Sequence, residues 1–146
     1  MYAILLLIAL AGPPAGHSDV QYPLHARCRG LEAYDIQGTQ DVDWAWGTIR
    51  AKDGSIQVAF AMGVMTGELV PAQRPPGFRT FKVARVGRAL LRYGCNVPKN
   101  QIQATLLGAR LDPVVNLIGA PKNAPRFVEI AKILATAPCE VHIDRR

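Results

Sequence analysis

The sequence predicts a mainly α-helical, disulfide-linked domain with room for one minor β-hairpin. Three observations favour this fold class. The length of 146 residues suits one domain, the last third has apolar residues at helical spacing, and a basic stretch between Arg79 and Arg92 carries its charges three or four residues apart. The chain is 49% hydrophobic and 19% charged, which excludes a wholly disordered protein.

The first 18 residues are predicted to be a cleaved export signal. Residues 3–11 form an apolar run that is too short to span a bilayer as a helix but is typical of a secretory signal. Prolines then end the run, and Gly16 and Ser18 supply small residues ahead of a cut before Asp19. A cut after Ala11 is one alternative, and a buried N-terminal strand or helix is another.

The mature domain would comprise residues 19–146 and contain three cysteines, Cys28, Cys95 and Cys139. Export to an oxidising compartment would pair two of them, whereas in a cytosolic protein all three would stay reduced. Their spacing matches no zinc pattern, because such patterns need close pairs of ligands. The sequence therefore predicts one structural disulfide, with the pairing left open, and neither a metal nor a cofactor.

The first half of the mature chain contains a segment, residues 55–68, that fits two structures. Its apolar residues alternate as in a strand, and residues 52–54 form a turn signal that could close a hairpin with residues 44–49. Its length of 14 residues and the helical spacing of Ile56 and Phe60 favour a helix instead, which is the preferred interpretation.

The formal net charge of +6 is concentrated in one stretch. Between Leu69 and Leu111 there are eight basic residues and no acidic residue. Five of the eight would lie on one face of a helix that ends at Gly94. These five are Arg79, Lys82, Arg85, Arg88 and Arg92. The stripe favours contact with an anionic surface, and the alternative is a solvated face neutralised by the acidic N-terminal stretch. Nucleic acid is disfavoured because aromatic residues are sparse there.

The last third is predicted to be helical. Residues 99–111 form one candidate helix, and residues 114–118 form a short helical turn after an Asp-Pro capping pair. The apolar stripe from Phe127 to Leu134 predicts a further helix that stops at Pro138. Residues 140–144 alternate and fit either a closing strand or a tail.

No catalytic arrangement is recognisable, so the protein is predicted not to be an enzyme. The histidines, His17, His25 and His142, belong to no metal or general-base motif. A thiol nucleophile formed by Cys95 with a histidine is a minor alternative. The Asp41-x-Asp43 pair lacks the further ligands of a calcium loop.

The stretch from Cys95 to Cys139 resembles the C-terminal half of the Rap/Tai family. These are small periplasmic immunity proteins that protect bacteria from peptidoglycan amidases delivered by the type VI secretion system. The pattern consists of Cys95-x-x-Pro98, Gln101, Gln103, a proline-containing break and an amphipathic helix ending in Ala137-Pro138-Cys139. Residues 59–64 are similar to the glycine-containing helix of that family.

The resemblance implies a helical domain with a Cys95–Cys139 disulfide, with Cys28 as the alternative partner of one of these cysteines. The implied function is stoichiometric inhibition of a secreted amidase toxin, without a catalytic residue in this chain. The chain departs from the family by lacking a further cysteine before the glycine-containing helix and by a long insertion between Gly63 and Cys95.

Contact with such a toxin would depend on a few aromatic and arginine anchors. The candidates are Trp44, Trp46, Arg85, Arg88 and Arg92. The alternative function is binding of an anionic surface or polymer in the periplasm, including the membrane surface, through the basic helix. A homodimer is also compatible with the sequence.

Overall fold

A computed structural model describes residues 21–145, and these residues form nine β-strands and one α-helix. The elements are β1 (Tyr22–Cys28), β2 (Tyr34–Gln40), β3 (Ala45–Ala51), β4 (Gln57–Met62), β5 (Phe78–Val86), β6 (Ala89–Asn96), β7 (Gln101–Leu107), β8 (Val114–Gly119), α1 (Ala124–Thr136) and β9 (Cys139–Ile143). Single 3-10 turns occur at Val64–Thr66 and Pro121–Asn123. The predicted mainly α-helical class is therefore wrong.

All nine strands belong to one sheet with the order β5-β6-β7-β8-β4-β3-β2-β1-β9. Every neighbouring pair is antiparallel. The first four strands form one meander and the next four form another, and the two meanders join where β4 pairs with β8. The sheet therefore has two edges, β5 at one end and β9 at the other.

One face of the sheet packs against α1 and is called the inner face. Buried side chains of α1, among them Phe127, Ile130 and Leu134, meet buried strand residues such as Leu91 and Leu117 in a single core. The alternation in β1 shows the pattern, since Leu24, Ala26 and Cys28 are buried and the residues between them are exposed. The helix predicted around Phe127–Leu134 is confirmed.

The opposite, outer face is crossed by residues 63–77, which we call the strap. The Leu69 N–H donates to Asn116 Oδ1 at 3.1 Å, and the Val70 N–H donates to Thr105 Oγ1 at 2.8 Å. Asn116 Nδ2 donates in turn to the Gly67 carbonyl at 2.8 Å. Thr105 on β7 and Asn116 on β8 are both buried, and they supply hydrogen-bond partners to backbone groups of the irregular strap. These backbone groups would otherwise lose their hydrogen bonds to water, where the strap covers the sheet, without gaining a partner.

Three other predicted helices are strands in the structure. Residues 79–92 form the β5–β6 hairpin, residues 99–111 contain β7, and residues 114–118 lie in β8. Residues 55–68, for which a helix was preferred, contain β4 and a 3-10 turn, and β4 pairs with β3 in the hairpin that was the alternative. In each case the segment pairs with neighbouring strands in spite of its helical spacing. This pairing satisfies the backbone hydrogen-bonding groups and buries the side chains on one face of the strand.

The predicted signal, residues 1–18, lies outside the residues that the structure describes. Across residues 21–145, no helix combines the length and the apolar character that crossing a membrane requires. The mature domain was expected to be helical, and its described part is one sheet with one packed helix.

Candidate binding surface

The basic residues that were predicted to line a helix lie on the edge hairpin of the sheet. β5 and β6 are joined by the two-residue turn Gly87-Arg88, in which Gly87 has a φ of 60°. A glycine with positive φ at the first turn position is typical of a tight hairpin whose twist matches its strands. Because this turn reverses the chain inside residues 79–92, no continuous helix forms there.

Four cations cluster at this edge, and we call them the basic edge. They are Arg79, Lys82 and Arg85 on β5 and Arg88 in the turn. All four are exposed, and within residues 21–145 none of their side chains forms a hydrogen bond or an ion pair. Four positive charges therefore face solvent along one strand and its turn without a counter-charge from the described part of the chain.

The basic edge has positive charge on both faces of the sheet. Val83 is paired with Arg92, whose guanidinium reaches the strap on the outer face, so Val83 also lies on that face. Arg85 follows Val83 by two residues and therefore points to the same outer face. Lys82 is paired with Tyr93 and lies on the inner face. The single helical stripe predicted from the spacing is therefore wrong, and β5 instead carries Arg85 on the outer face of the sheet and Lys82 on the inner face.

Arg92, the fifth predicted stripe residue, has a structural role. Its Nη1 forms an ion pair with Glu68 Oε1 of the strap at 2.8 Å, and only 12% of its side chain is exposed. A second arginine, Arg74, donates two hydrogen bonds to the Phe78 carbonyl at 3.0 and 2.6 Å. These two arginines hold the strap against β5 and β6, and the guanidinium of Arg92 is mostly buried.

The tryptophan pair lies elsewhere on the sheet. Trp44 and Trp46 stack with ring centroids 4.1 Å apart, but Trp44 is only 2% exposed and Trp46 is half-buried. Among the described residues the indole N–H of Trp44 has no hydrogen-bond partner. Four strands separate β3 from β5, or roughly 24 Å measured along the sheet. The structure therefore does not bring the predicted tryptophan and arginine anchors into one surface.

The disulfide joins Cys28 to Cys139, and Cys95 is a half-buried free thiol. The expected Cys95–Cys139 bond is thus not the one formed, and the alternative partner, Cys28, takes its place. Cys95 lies on β6, whereas His25 and His142 are paired across β1 and β9 at the far end of the sheet. The minor alternative of a Cys95–histidine nucleophile pair has no geometric support.

An open cleft of about 530 Å³ lies at the end of β1 and β2. Its lining includes both signs of charge, from Arg27, Lys52, Glu32 and Asp35. The Gly30 N–H donates to Glu32 at 3.0 Å, and this hydrogen bond lowers the pKa of Glu32. Within residues 21–145, no group of three or more His, Cys, Asp or Glu side chains is placed to hold a metal ion. A cleft of mixed charge selects no single class of ligand.

A polar cluster joins the start of α1 to the sheet. Arg126 donates to Ser55 Oγ at 2.6 Å and to Tyr34 Oη at 3.0 Å, and Ser55 Oγ donates to Asp53 Oδ1 at 2.5 Å. The hydrogen bond to Tyr34 raises the pKa of Arg126, and the hydrogen bonds from Ser55 lower the pKa of Asp53. These four side chains satisfy one another, and the cluster joins the start of α1 to β2 and to the turn before β4.

The fold and this surface define an antiparallel β-sheet protein with one packed helix and a basic strand at its edge. Protein-family models, curated proteins and solved structures give no match to this chain.

Proposed function

We propose that this protein is an exported binding protein that recognises an acidic partner through the basic edge. One observation carries the proposal: Arg79, Lys82, Arg85 and Arg88 are exposed and unpaired within the described residues. Charges of one sign at this spacing repel one another, and an anionic partner would relieve that repulsion. Such a surface also steers an oppositely charged partner towards it and raises the association rate.

The composition of the basic edge supports recognition of carboxylates. Three of the four cations are arginines, whose planar guanidinium can donate two parallel hydrogen bonds to one carboxylate. From Arg79 to Arg85 the extended backbone of β5 spans about 20 Å. An extended segment of the same length in a partner could place several acidic side chains opposite these cations.

The hairpin that carries these cations is held by the rest of the fold. Ala89 and Leu91 are fully buried, and a β-carbon on Gly87 would lie 2.8 Å from Thr136 at the end of α1. The Arg92–Glu68 ion pair fixes the strap on the outer face. A rigid surface loses little conformational entropy on binding, which favours affinity.

Inhibition of a peptidoglycan amidase toxin would be one case of binding to an acidic partner, and it stays a prediction. Within the stretch from Cys95 to Cys139 that carried the resemblance to the immunity family, two of the expected helices are replaced by β7 and β8, and only α1 is helical as expected. Export is part of the proposal, and the Cys28–Cys139 disulfide supports it, since such bonds persist in oxidising compartments.

The test is a titration of the purified chain with fluorescently labelled poly-L-glutamate at low salt. Arg85→Glu combined with Arg88→Glu should weaken binding at least tenfold. The matched control is Lys52→Glu combined with Lys122→Glu, which makes the same change in net charge at exposed sites outside the hairpin and should weaken binding less than threefold. Equal loss in both double variants would show that only net charge matters and would overturn the proposal.

A further inference from the structure

We infer that the basic edge binds an acidic segment of its partner as an added β-strand, paired with β5. This inference rests on the proposed function and specifies how the partner is held. The backbone of β5 would supply affinity through main-chain hydrogen bonds, and the flanking cations would select glutamate and aspartate side chains. The ligand is therefore an extended, acidic stretch of another protein.

The first observation is the free edge itself. β5 has nine residues and pairs only with β6 among the described strands. In a strand paired on one side, about half of the backbone N–H and C=O groups point away from the neighbour. β9, at the opposite end of the sheet, has five residues. β5 is thus the longer of the two edges and offers more unpaired backbone to an added strand.

The second observation is the placement of the cations relative to that edge. Arg85 lies on the outer face and Lys82 on the inner face, so an added strand would have positive charge on both of its faces. In a strand, successive side chains point to opposite faces. A partner with acidic residues at both odd and even positions would therefore form ion pairs on each side of the extended sheet.

The charges also disfavour the twofold pairing of β5 with β5 of a second copy in the register that uses all nine residues of the strand. In a twofold antiparallel pairing of β5 centred on Lys82, each Lys82 would face the other and Arg79 would face Arg85 of the second copy. Like charges directly opposite each other destabilise a strand pair. Residues 1–18 contain no acidic residue, so this segment cannot supply the carboxylates that the basic edge would bind.

The test compares two synthetic peptides of eight residues with the repeat Glu-Glu-Val-Val, which places glutamate at both odd and even positions and therefore on both faces of an added strand. One peptide is unmodified, and the other is N-methylated at every residue, so that it keeps its charge but has no backbone N–H group with which to pair along either of its edges. Amide chemical shifts and hydrogen exchange of the full chain are followed by NMR during titration. The unmodified peptide should bind at least tenfold more tightly and should slow exchange of those β5 amides that point away from β6.

Three outcomes separate the inference from the proposed function. Equal affinity of the two peptides without added protection in β5 would overturn strand addition, while binding of poly-L-glutamate through Arg85 and Arg88 would still stand. Protection that appears in β9 and not in β5 would also overturn it. Failure of both peptides and of poly-L-glutamate would reject the proposed function, and the cations would then serve only to protect an open edge from aggregation.

Discussion

Cys28 and Cys139 form a disulfide between directly paired residues of β1 and β9, with their Cα atoms 4.1 Å apart. The bond closes a loop of 111 residues in sequence and connects the two ends of the described fold. It therefore fixes the last strand, which has five residues, onto the first strand of the sheet.

Replacing Cys28 by serine should lower the free energy of unfolding by about 2–5 kcal/mol, because the unfolded chain regains the entropy of a long loop. Urea unfolding followed by tryptophan fluorescence measures the change. Cys95→Ser is the matched control and should shift the free energy by less than about 1 kcal/mol, since Cys95 is a half-buried free thiol. Alkylation of Cys28 without prior reduction would contradict the assigned pairing.

Asn116→Ala should release the strap. The substitution removes the acceptor for the Leu69 N–H and the donor to the Gly67 carbonyl, and leaving such groups unpaired costs about 1–3 kcal/mol. Amide hydrogen exchange should become at least tenfold faster at Leu69, with little change in α1. Asn123→Ala is the control, because the Asn123 side chain makes no capping hydrogen bond to the helix. Unchanged exchange at Leu69 would show that Asn116 does not hold the strap.

Gly119→Ala should destabilise the packing of α1 on β8. A β-carbon at Gly119 would lie 2.7 Å from Cδ2 of Phe127, closer than van der Waals contact allows. Overpacking of this kind typically costs about 1–3 kcal/mol. Thermal unfolding measures the loss.

A double-mutant cycle gives the control for this contact. In the background of Phe127→Val, which removes the δ and ε ring carbons beside Gly119, the alanine should cost less than it does in the native chain. An identical cost in both backgrounds would show that Phe127 is not the group that the β-carbon meets.

The carboxyl group of Asp53 should titrate below its ordinary pKa of 3.8. The main cause is the hydrogen bond from Ser55 Oγ, so Ser55→Ala should raise this pKa towards 3.8 and Ser55→Thr should keep it low. Because the folded-state pKa is depressed, the stabilising contribution is complete above pH 3.8 and is lost as pH falls through the folded-state value. NMR titration of the side-chain carboxyl carbon measures the shift, and equal values in the alanine and threonine variants would contradict this cause.

The helix that the sequence predicted correctly has a single periodic pattern. The apolar stripe from Phe127 to Leu134 fits only a helix, and Pro138 ends it. For residues 140–144 the sequence left a closing strand or a tail open, and β9 covers most of them. The alternation within residues 55–68 was also a true strand signal, but the length of the segment and its helical spacing favoured the wrong structure.

The basic stretch shows why a local pattern can mislead. Cations three residues apart fit a helix, yet Phe81, Val83 and Val86 have high strand propensity, and Gly87 at the centre of the stretch marks a two-residue turn. Reading Gly87 as a hairpin turn would have predicted β5 and β6. The same charges then lie along a sheet edge instead of one helix face.

Three features could be established from the sequence alone: a local excess of positive charge between Leu69 and Leu111, the helix around Phe127–Leu134, and cysteines able to form one disulfide. Only the tertiary structure decided which cations remain free, since Arg92 pairs with Glu68, 24 residues earlier in the chain. It also decided that Cys28 and not Cys95 bonds to Cys139. The physical reason is that a sheet is held by contacts between residues distant in sequence, and local periodicity carries no information about which strands become neighbours.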